Sequence, residues 1–212
     1  MAREAVCVDA AQRGKRDGVF PPAVESRGRA GQSGRDLTGD FPAAPIPAPI
    51  IVTALFGRSD QGWFDAQRAE FFPPERNVLS AHCTLFHHLP PSAADELKHR
   101  LTQATRAVRA PDVRIAGLMS LGRGVAYRLD APGLAAIRHD LVDAFAGLLT
   151  PQDAGGWRPH VTIQNKVTPN VAKLLLDRLA KDFRPRPVEL TGLATWWYRG
   201  GPWEALSRHM FA

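Results

Sequence analysis

Two short phrases of the sequence carry the same pair of reactive side chains: His82-Cys83-Thr84-Leu85 and His160-Val161-Thr162-Ile163. Each lies in a largely apolar run, SAHCTLFHH from Ser80 and PHVTIQNKV from Pro159, that reads as a β-strand. Residues two apart on a strand share a face. Each strand therefore presents an imidazole and a hydroxyl on one side and turns Cys83 and Leu85, or Val161 and Ile163, into packing. Histidine ordinarily titrates near pH ~6.5, so one ring can accept a proton while another, protonated, donates one. Hydroxyls fixed beforehand can donate to oxygens on which charge develops. Paired in this way, the groups suit general acid–base catalysis, each proton transfer contributing roughly 10²–10⁴-fold.

Either histidine alone would pass for an ordinary strand residue. The argument for a site is that the surroundings repeat. Leucines stand 15 and 19 residues after each histidine, Leu97 and Leu101, then Leu175 and Leu179. Val113-Arg114-Ile115-Ala116-Gly117-Leu118 is echoed by Val188-Glu189-Leu190-Thr191-Gly192-Leu193. The chain thus reads as a duplicated unit of helix, His-x-Thr strand, helix, strand and strand. With only two copies, the expected arrangement is two facing lobes whose motif strands meet near a pseudo-twofold axis.

The elements follow from periodicity and punctuation. Ile50–Phe56 (IIVTALF) is a buried strand. Residues 63–72 form a helix stopped by Pro73-Pro74. Residues 92–108 form a helix with Ala94, Leu97, Leu101, Ala104 and Val108 on its inner face and Ser92 as N-cap. Lys98, Arg100, Arg106 and Arg109 then lie on its solvated side. VRIAGLMSL and GVAYRLD are strands joined at Gly122–Gly124. Leu134, Ile137, Leu141, Phe145 and Leu148 mark a further helix, and Thr168-Pro169 opens another. Val188 to Phe211 gives two strands around Gly200-Gly201-Pro202.

Residues 1–49 differ from the rest. They contain six of the 18 glycines and six of the 18 prolines, without helical or strand period, and are expected to be a disordered extension. Their seven basic and six acidic residues nearly cancel, which argues against a dedicated RNA-binding tail. The folded domain is expected over residues 50–212.

The formal net charge of +6 and pI near 9.9 are compatible with a polyanionic partner. No apolar run reaches membrane-spanning length, and charged residues interrupt the N-terminus where a signal peptide would be apolar. A cytoplasmic protein is expected, and two isolated cysteines, Cys7 and Cys83, fit a reducing compartment. There is no Cys-based zinc spacing, Gly-rich phosphate loop, dinucleotide fingerprint or nucleophilic serine elbow. His87 and His88 follow the first motif, but His82 and His88 stand about 20 Å apart on an extended strand, with no nearby carboxylate. No metal and no cofactor are therefore expected.

On these residues the sequence resembles the 2H phosphoesterases, and within them the 2′-5′ RNA ligase and RNA 2′,3′-cyclic phosphodiesterase branch, over most of residues 50–212. That family is named for two His-x-Thr/Ser-x motifs with apolar x positions, as at 82–85 and 160–163. Trp157-Arg158-Pro159 and Tyr198-Arg199-Gly200-Gly201-Pro202-Trp203-Glu204 add to the likeness. The resemblance implies an α+β, bilobal duplicated fold in which two antiparallel sheets, flanked by helices, line a central cleft. It implies hydrolysis of a strained 2′,3′-cyclic phosphate to a terminal phosphomonoester, with His82 and His160 catalytic and Thr84 and Thr162 on the phosphate. The same site run in reverse would join RNA ends through a 2′-5′ bond.

The expected partners are RNA 3′ ends or small cyclic-phosphate nucleotides such as an ADP-ribose-like molecule. A non-catalytic RNA-binding module is the alternative of a different class. A monomer is expected, because the duplication supplies the second half-site. Arg158, Tyr198 and Arg199 are candidate substrate contacts, since arginine suits phosphate and aromatic faces stack on unpaired bases. Gln164 shares the face of His160 and Thr162. Arg76 and Tyr127 are further candidates, and Trp196, Trp197 and Trp203 read equally as packing. The sequence does not say which histidine is base and which is acid.

Overall fold

The structure, a computed structural model, describes residues 48–212, so nearly all of the expected N-terminal extension lies outside the described residues. The β-branched run β1 (Ile50–Phe56) is buried almost throughout because it lies inside a sheet, between β2 (Cys83–Leu89) and β7 (Leu190–Trp197). With β8 (Glu204–Met210) they make one antiparallel sheet in the order β2-β1-β7-β8. The second sheet runs β5-β4-β3-β6, from β5 (His160–Gln164), β4 (Val125–Asp130), β3 (Val113–Ser120) and β6 (Arg186–Val188). It is antiparallel too.

The helices are α1 (Arg58–Phe71), α2 (Ala94–Thr105), α3 (Pro132–Ala144), the single turn α4 (Pro151–Ala154) and α5 (Pro169–Asp182). α1 packs against β5, α2 against β7 and β8, and α5 against β3 and β4. The α+β class and the paired antiparallel sheets match the expectation from sequence. Among the described residues no helix is long and apolar enough to cross a membrane.

The duplication is visible in the sheet orders, with one revision. β2 and β5 occupy equivalent edges, β1 and β4 stand next to them, and β7 and β3 come third. β4, which the sequence placed at the end of the first unit, therefore takes the position of β1 and opens the second. The third strands are exchanged: β3 follows the first half along the chain but joins the second sheet, and β7 does the reverse. The stretch expected as one strand from Val188 accordingly divides at Glu189. Pro187 has no N–H to offer a second neighbour, and β6 is the edge strand. Glu189 then crosses to the other sheet, its N–H donating to Asp60 Oδ2 (2.7 Å) and its carbonyl accepting from Gly57 N (2.9 Å).

Several boundaries differ from the sequence reading. α1 begins at Arg58, five residues earlier than expected, with Asp60 in its first turn. Ser92 does not cap α2. It lies in a 3-10 turn, Pro91–Ala93, and no side chain caps the helix. α2 stops at Thr105, because the backbone turns left-handed at Ala107 (φ 58°), which leaves Val108 exposed and Leu97, Leu101 and Thr105 as the buried face. α3 ends before Phe145, and Leu148 is exposed. The strand from Pro159 ends at Gln164, ahead of a left-handed Lys166. Thr168 does cap α5, its side chain accepting from Val171 N.

Candidate active site

β2 and β5 are edge strands of their sheets and lie against each other. The duplicated strands thus meet as expected. His82 immediately precedes β2 and His160 opens β5. Cys83, Leu85, Val161 and Ile163 are all fully buried in the core, while Thr84 and Thr162 stay partly accessible on the opposite faces. The backbone N–H of His160 points at the Cys83 sulfur, so the first turns of the two strands touch. Burial pushes the Cys83 thiol up to about 12, only partly opposed by that N–H.

Both imidazoles are held in the same way. His82 Nδ1 lies 2.8 Å from the Ser80 carbonyl, and His160 Nδ1 lies 2.7 Å from the Arg158 carbonyl. A carbonyl only accepts, so Nδ1 donates in each case and the neutral ring carries its lone pair on Nε2. The tautomer of both rings is thereby fixed by the backbone two residues upstream. The ring of Trp203 stands 4.6 Å from that of His82 at 53°, and Trp196 lies 6.3 Å beyond Trp203. Trp196 Nε1 donates to Thr53 Oγ1 (2.9 Å), beside Thr84 in the β1–β2 ladder. The His82 side of the cleft is therefore aromatic.

An edge strand leaves backbone groups unpaired, and here side chains from elsewhere in the chain take them up. Trp157 Nε1 donates to the Thr84 carbonyl (2.9 Å), and Arg138 Nε to the Leu85 carbonyl (3.0 Å). Asp153 accepts from His87 N (2.9 Å), His88 N (2.8 Å) and His87 Nδ1 (3.1 Å). On β5, Arg68 Nη1 donates to the Thr162 carbonyl (2.9 Å). Burial would raise the Asp153 carboxyl, but the hydrogen bonds and charge of His87 and the His88 N–H outweigh it and hold the group below the usual carboxylate range. Burial pulls Arg138 down, and the charge on Asp153 opposes that.

The other sequence candidates fare unevenly. Gln164 is buried, and its Oε1 has no hydrogen-bond partner. Arg158 contributes its carbonyl to His160 and exposes its side chain. Tyr198 is half-buried, its N–H on the Pro49 carbonyl. Arg199 Nε is joined to Glu204 Oε2 (2.9 Å), so a carboxylate already shares its charge. Tyr127 belongs to the core face of β4: its hydroxyl donates to Gln67 Oε1 (2.8 Å), and burial pushes it up to about 12, Arg186 lowering it and Glu70 adding to the rise. Arg76 sits in the 3-10 turn Pro74–Arg76, beside Glu75.

The carboxylate that the sequence did not place near His87 does arrive, as Asp153, from 66 residues away. Among the described residues no three His, Cys, Asp or Glu groups gather where a metal ion could be held. Sequence reasoning missed Arg68, Arg138, Asp153 and Arg128, the last opposite His160 across the β4–β5 ladder. The available signal was alternation in β4: an arginine between the inward-facing Tyr127 and Leu129 must face the side that carries His160.

Two antiparallel sheets meeting along a pair of His-x-Thr edge strands define the class, a duplicated two-histidine fold. The chain belongs to the 2′-5′ RNA ligase superfamily, whose family profile matches residues 56–202. Among solved structures, the Thermus thermophilus protein TT0787 is similar with a TM-score of 0.52 and 13% identity, over 77% of this chain and 97% of that one. E. coli LigT in its apo form gives 0.49 and 19%, over 78% and 98%. LigT complexed with 3′-AMP gives 0.47 and 18%, over 78% and 99%. At these identities the likeness to TT0787 bears on the fold. A comparison with curated protein sequences finds no match. Membership of the superfamily supports a phosphodiesterase or ligase type of activity.

Proposed function

We propose that this protein hydrolyses 2′,3′-cyclic phosphates at RNA ends by metal-independent acid–base catalysis, with His82 and His160 as the proton-transfer groups and the Thr84 and Thr162 hydroxyls as hydrogen-bond donors to the phosphate. The observation that carries the reading is the matched tethering of the two imidazoles, each donating from Nδ1 to the carbonyl two residues before it. Both rings then work through Nε2, the arrangement that two groups exchanging acid and base roles across one phosphate require.

In the forward step one neutral ring takes a proton from water as its oxygen bonds to phosphorus. The other ring, protonated, gives its proton to the ribose oxygen as the P–O bond breaks. The product is a terminal phosphomonoester, and each histidine leaves in the protonation state in which its partner began. Thr84 and Thr162 hydroxyls donate to the non-bridging oxygens, where charge builds in the transition state. With an RNA 5′-hydroxyl in place of water and the ribose 3′ oxygen leaving as it takes the proton, the same transfers form a 2′-5′ bond. Water is the abundant nucleophile, which favours hydrolysis.

The test is turnover of 2′,3′-cyclic nucleotides and of a short RNA ending in a cyclic phosphate, in EDTA, by wild type and His160→Ala. EDTA-resistant turnover that the substitution removes is the expected result. Folded wild-type protein inert on both substrates would overturn the RNA-end reading and turn attention to an ADP-ribose-like cyclic phosphate, then to RNA binding without catalysis.

A further inference from the structure

The site is lopsided in a way the two motifs do not suggest. On the His82 side the cleft is walled by Trp203 and Trp196. On the His160 side, the residue directly opposite across the β4–β5 ladder is Arg128. Opposed residues of antiparallel strands share a face with their Cβ atoms about 4.5–5.5 Å apart, so Arg128 stands on the face that carries His160. It is exposed, whereas its neighbours Tyr127 and Leu129 are buried in the core.

The backbone beside it is shaped to receive a guanidinium. The β3–β4 ladder is irregular between Ile115 and Gly117, and Ala116 falls out of register. The freed Ala116 carbonyl accepts from Arg128 Nη2 (3.1 Å). Gly117 lies under the side chain: a Cβ there would come within 3.2 Å of Nη2 and 3.4 Å of Nε. A bulge and a glycine thus let the planar group lie over β3, and bulges are common next to active sites. Arg199 is joined to Glu204, Arg186 to Asp60 and Arg178 to Glu70. Arg128 has no carboxylate partner among the described residues. Its exposed charge stands on the face that carries His160.

We infer that Arg128 binds a second phosphate of the substrate, so that the preferred substrate carries, beside the reacting 2′,3′-phosphate, a phosphate on the 5′ oxygen of the same nucleoside. This rests on the reading of His82 and His160 as the phosphate-binding pair. The guanidinium lies over β3, two strand positions from β5, or about 9–10 Å. That matches an anion placed one ribose away from the reacting group. It is too far for the same phosphate to bridge His160 and the guanidinium as they stand. Arginine's fork suits phosphate with two parallel hydrogen bonds, and the Ala116 carbonyl occupies only one of its donors. An RNA end has this second phosphate and a bare cyclic mononucleotide does not.

The experiment is calorimetric titration of wild type, Arg128→Ala, Arg128→Lys and Gly117→Ala with adenosine 3′-monophosphate and adenosine 3′,5′-bisphosphate. In wild type the bisphosphate is expected to bind about tenfold tighter or more, the scale of a charged hydrogen-bonded contact. That ratio should collapse to roughly twofold or less in Arg128→Ala, narrow in Gly117→Ala, and be retained in part in Arg128→Lys. An equal ratio in wild type and Arg128→Ala, or no preference in wild type, would overturn the inference. Weaker monophosphate binding in His160→Ala tests the underlying site separately. If that substitution has no effect, the two-histidine reading fails, whatever the Arg128 ratio. If wild type binds neither ligand, both fail.

Discussion

Arg68 and Arg138 are each a buried arginine on a long helix N-terminal to one motif strand, and each donates into the motif strand of the other half. Arg68, on α1, reaches the Thr162 carbonyl (2.9 Å), and Arg138, on α3, reaches the Leu85 carbonyl (3.0 Å). They are the only arginines buried among the described residues, at 5% and 7% exposure. Each is also braced: Arg68 Nε on Asn77 Oδ1 (3.1 Å) with its guanidinium 4.3 Å from the Phe72 ring, and Arg138 5.0 Å from the Phe86 ring. The relation is reciprocal, so the spacing of the two histidines depends on both. Arg68→Lys should keep the charge but lose the fork that spans Asn77 and Thr162. Since a misplacement of about 1 Å can cost ~10²-fold, kcat should fall by roughly tenfold or more with KM changed much less. Steady-state kinetics beside a melting curve checks this. A large drop in Tm with kcat intact would mean that the clamp serves stability alone.

His82 and His160 make equivalent hydrogen bonds, and their removal should have equivalent consequences. His82→Ala and His160→Ala should each lower kcat by about 10³-fold or more, within the range of lost proton transfer. The double substitution should be little worse than either single one, because groups that act as a unit are strongly non-additive. Circular dichroism should show all three folded, because both rings sit at the cleft and outside the core. A single variant that keeps near-wild-type turnover would remove that histidine from the chemistry.

Cys83 interrupts the first motif where the second has Val161, and its thiol, pushed up to about 12 by burial, stays protonated at ordinary pH. Thiolate is the reactive form. Iodoacetamide at pH 8 should therefore leave Cys83 unmodified in the native protein and label it fully in denaturant, as read by peptide mapping. Rapid native labelling of Cys83 would mean that β2 opens readily and that the contact with His160 is transient.

How far the sequence reached depended on whether a feature was local. The motifs, the inward Cys83, Leu85, Val161 and Ile163, and the helix start at Thr168-Pro169 were readable because each is set by neighbours in the chain. The exchange of β3 and β7 between sheets was not, since both strands have the same local pattern whichever sheet they join. Ser92 misled because the chain already turns at Pro91, so Ser92 lies inside the 3-10 turn Pro91–Ala93 and not at the helix boundary. Arg68, Arg138 and Asp153 carry no local signal in the sequence. Their role exists only because β2 and β5 are edge strands with backbone groups to satisfy, a fact of topology. Arg128 lay between: alternation assigns its face, but the partner strand must be known before that face becomes the one with His160.

Asp153 ties the C-terminal end of β2 to α4 and, through Arg138, to α3, so it should govern acid stability. Its Oδ1 and Oδ2 accept three hydrogen bonds from His87 and His88, and Arg138 Nη2 donates to its carbonyl. The folded carboxyl is held below its unfolded range, which for Asp lies near ~3.9. Its contribution is thus fully present above that pH and is lost as pH falls through the depressed folded value. Asp153→Asn should turn an amide NH₂ toward an N–H that needs an acceptor. The cost should be about 2–3 kcal/mol at pH 7, or a fall in Tm of roughly 5 °C or more. The variant should also lose the share of acid sensitivity that Asp153 supplies. Its stability relative to wild type should therefore improve as pH drops from about 5 towards 2. Chemical denaturation of both proteins across that range decides the matter: a gap that stays constant with pH would show that Asp153 carries no charge-dependent stability.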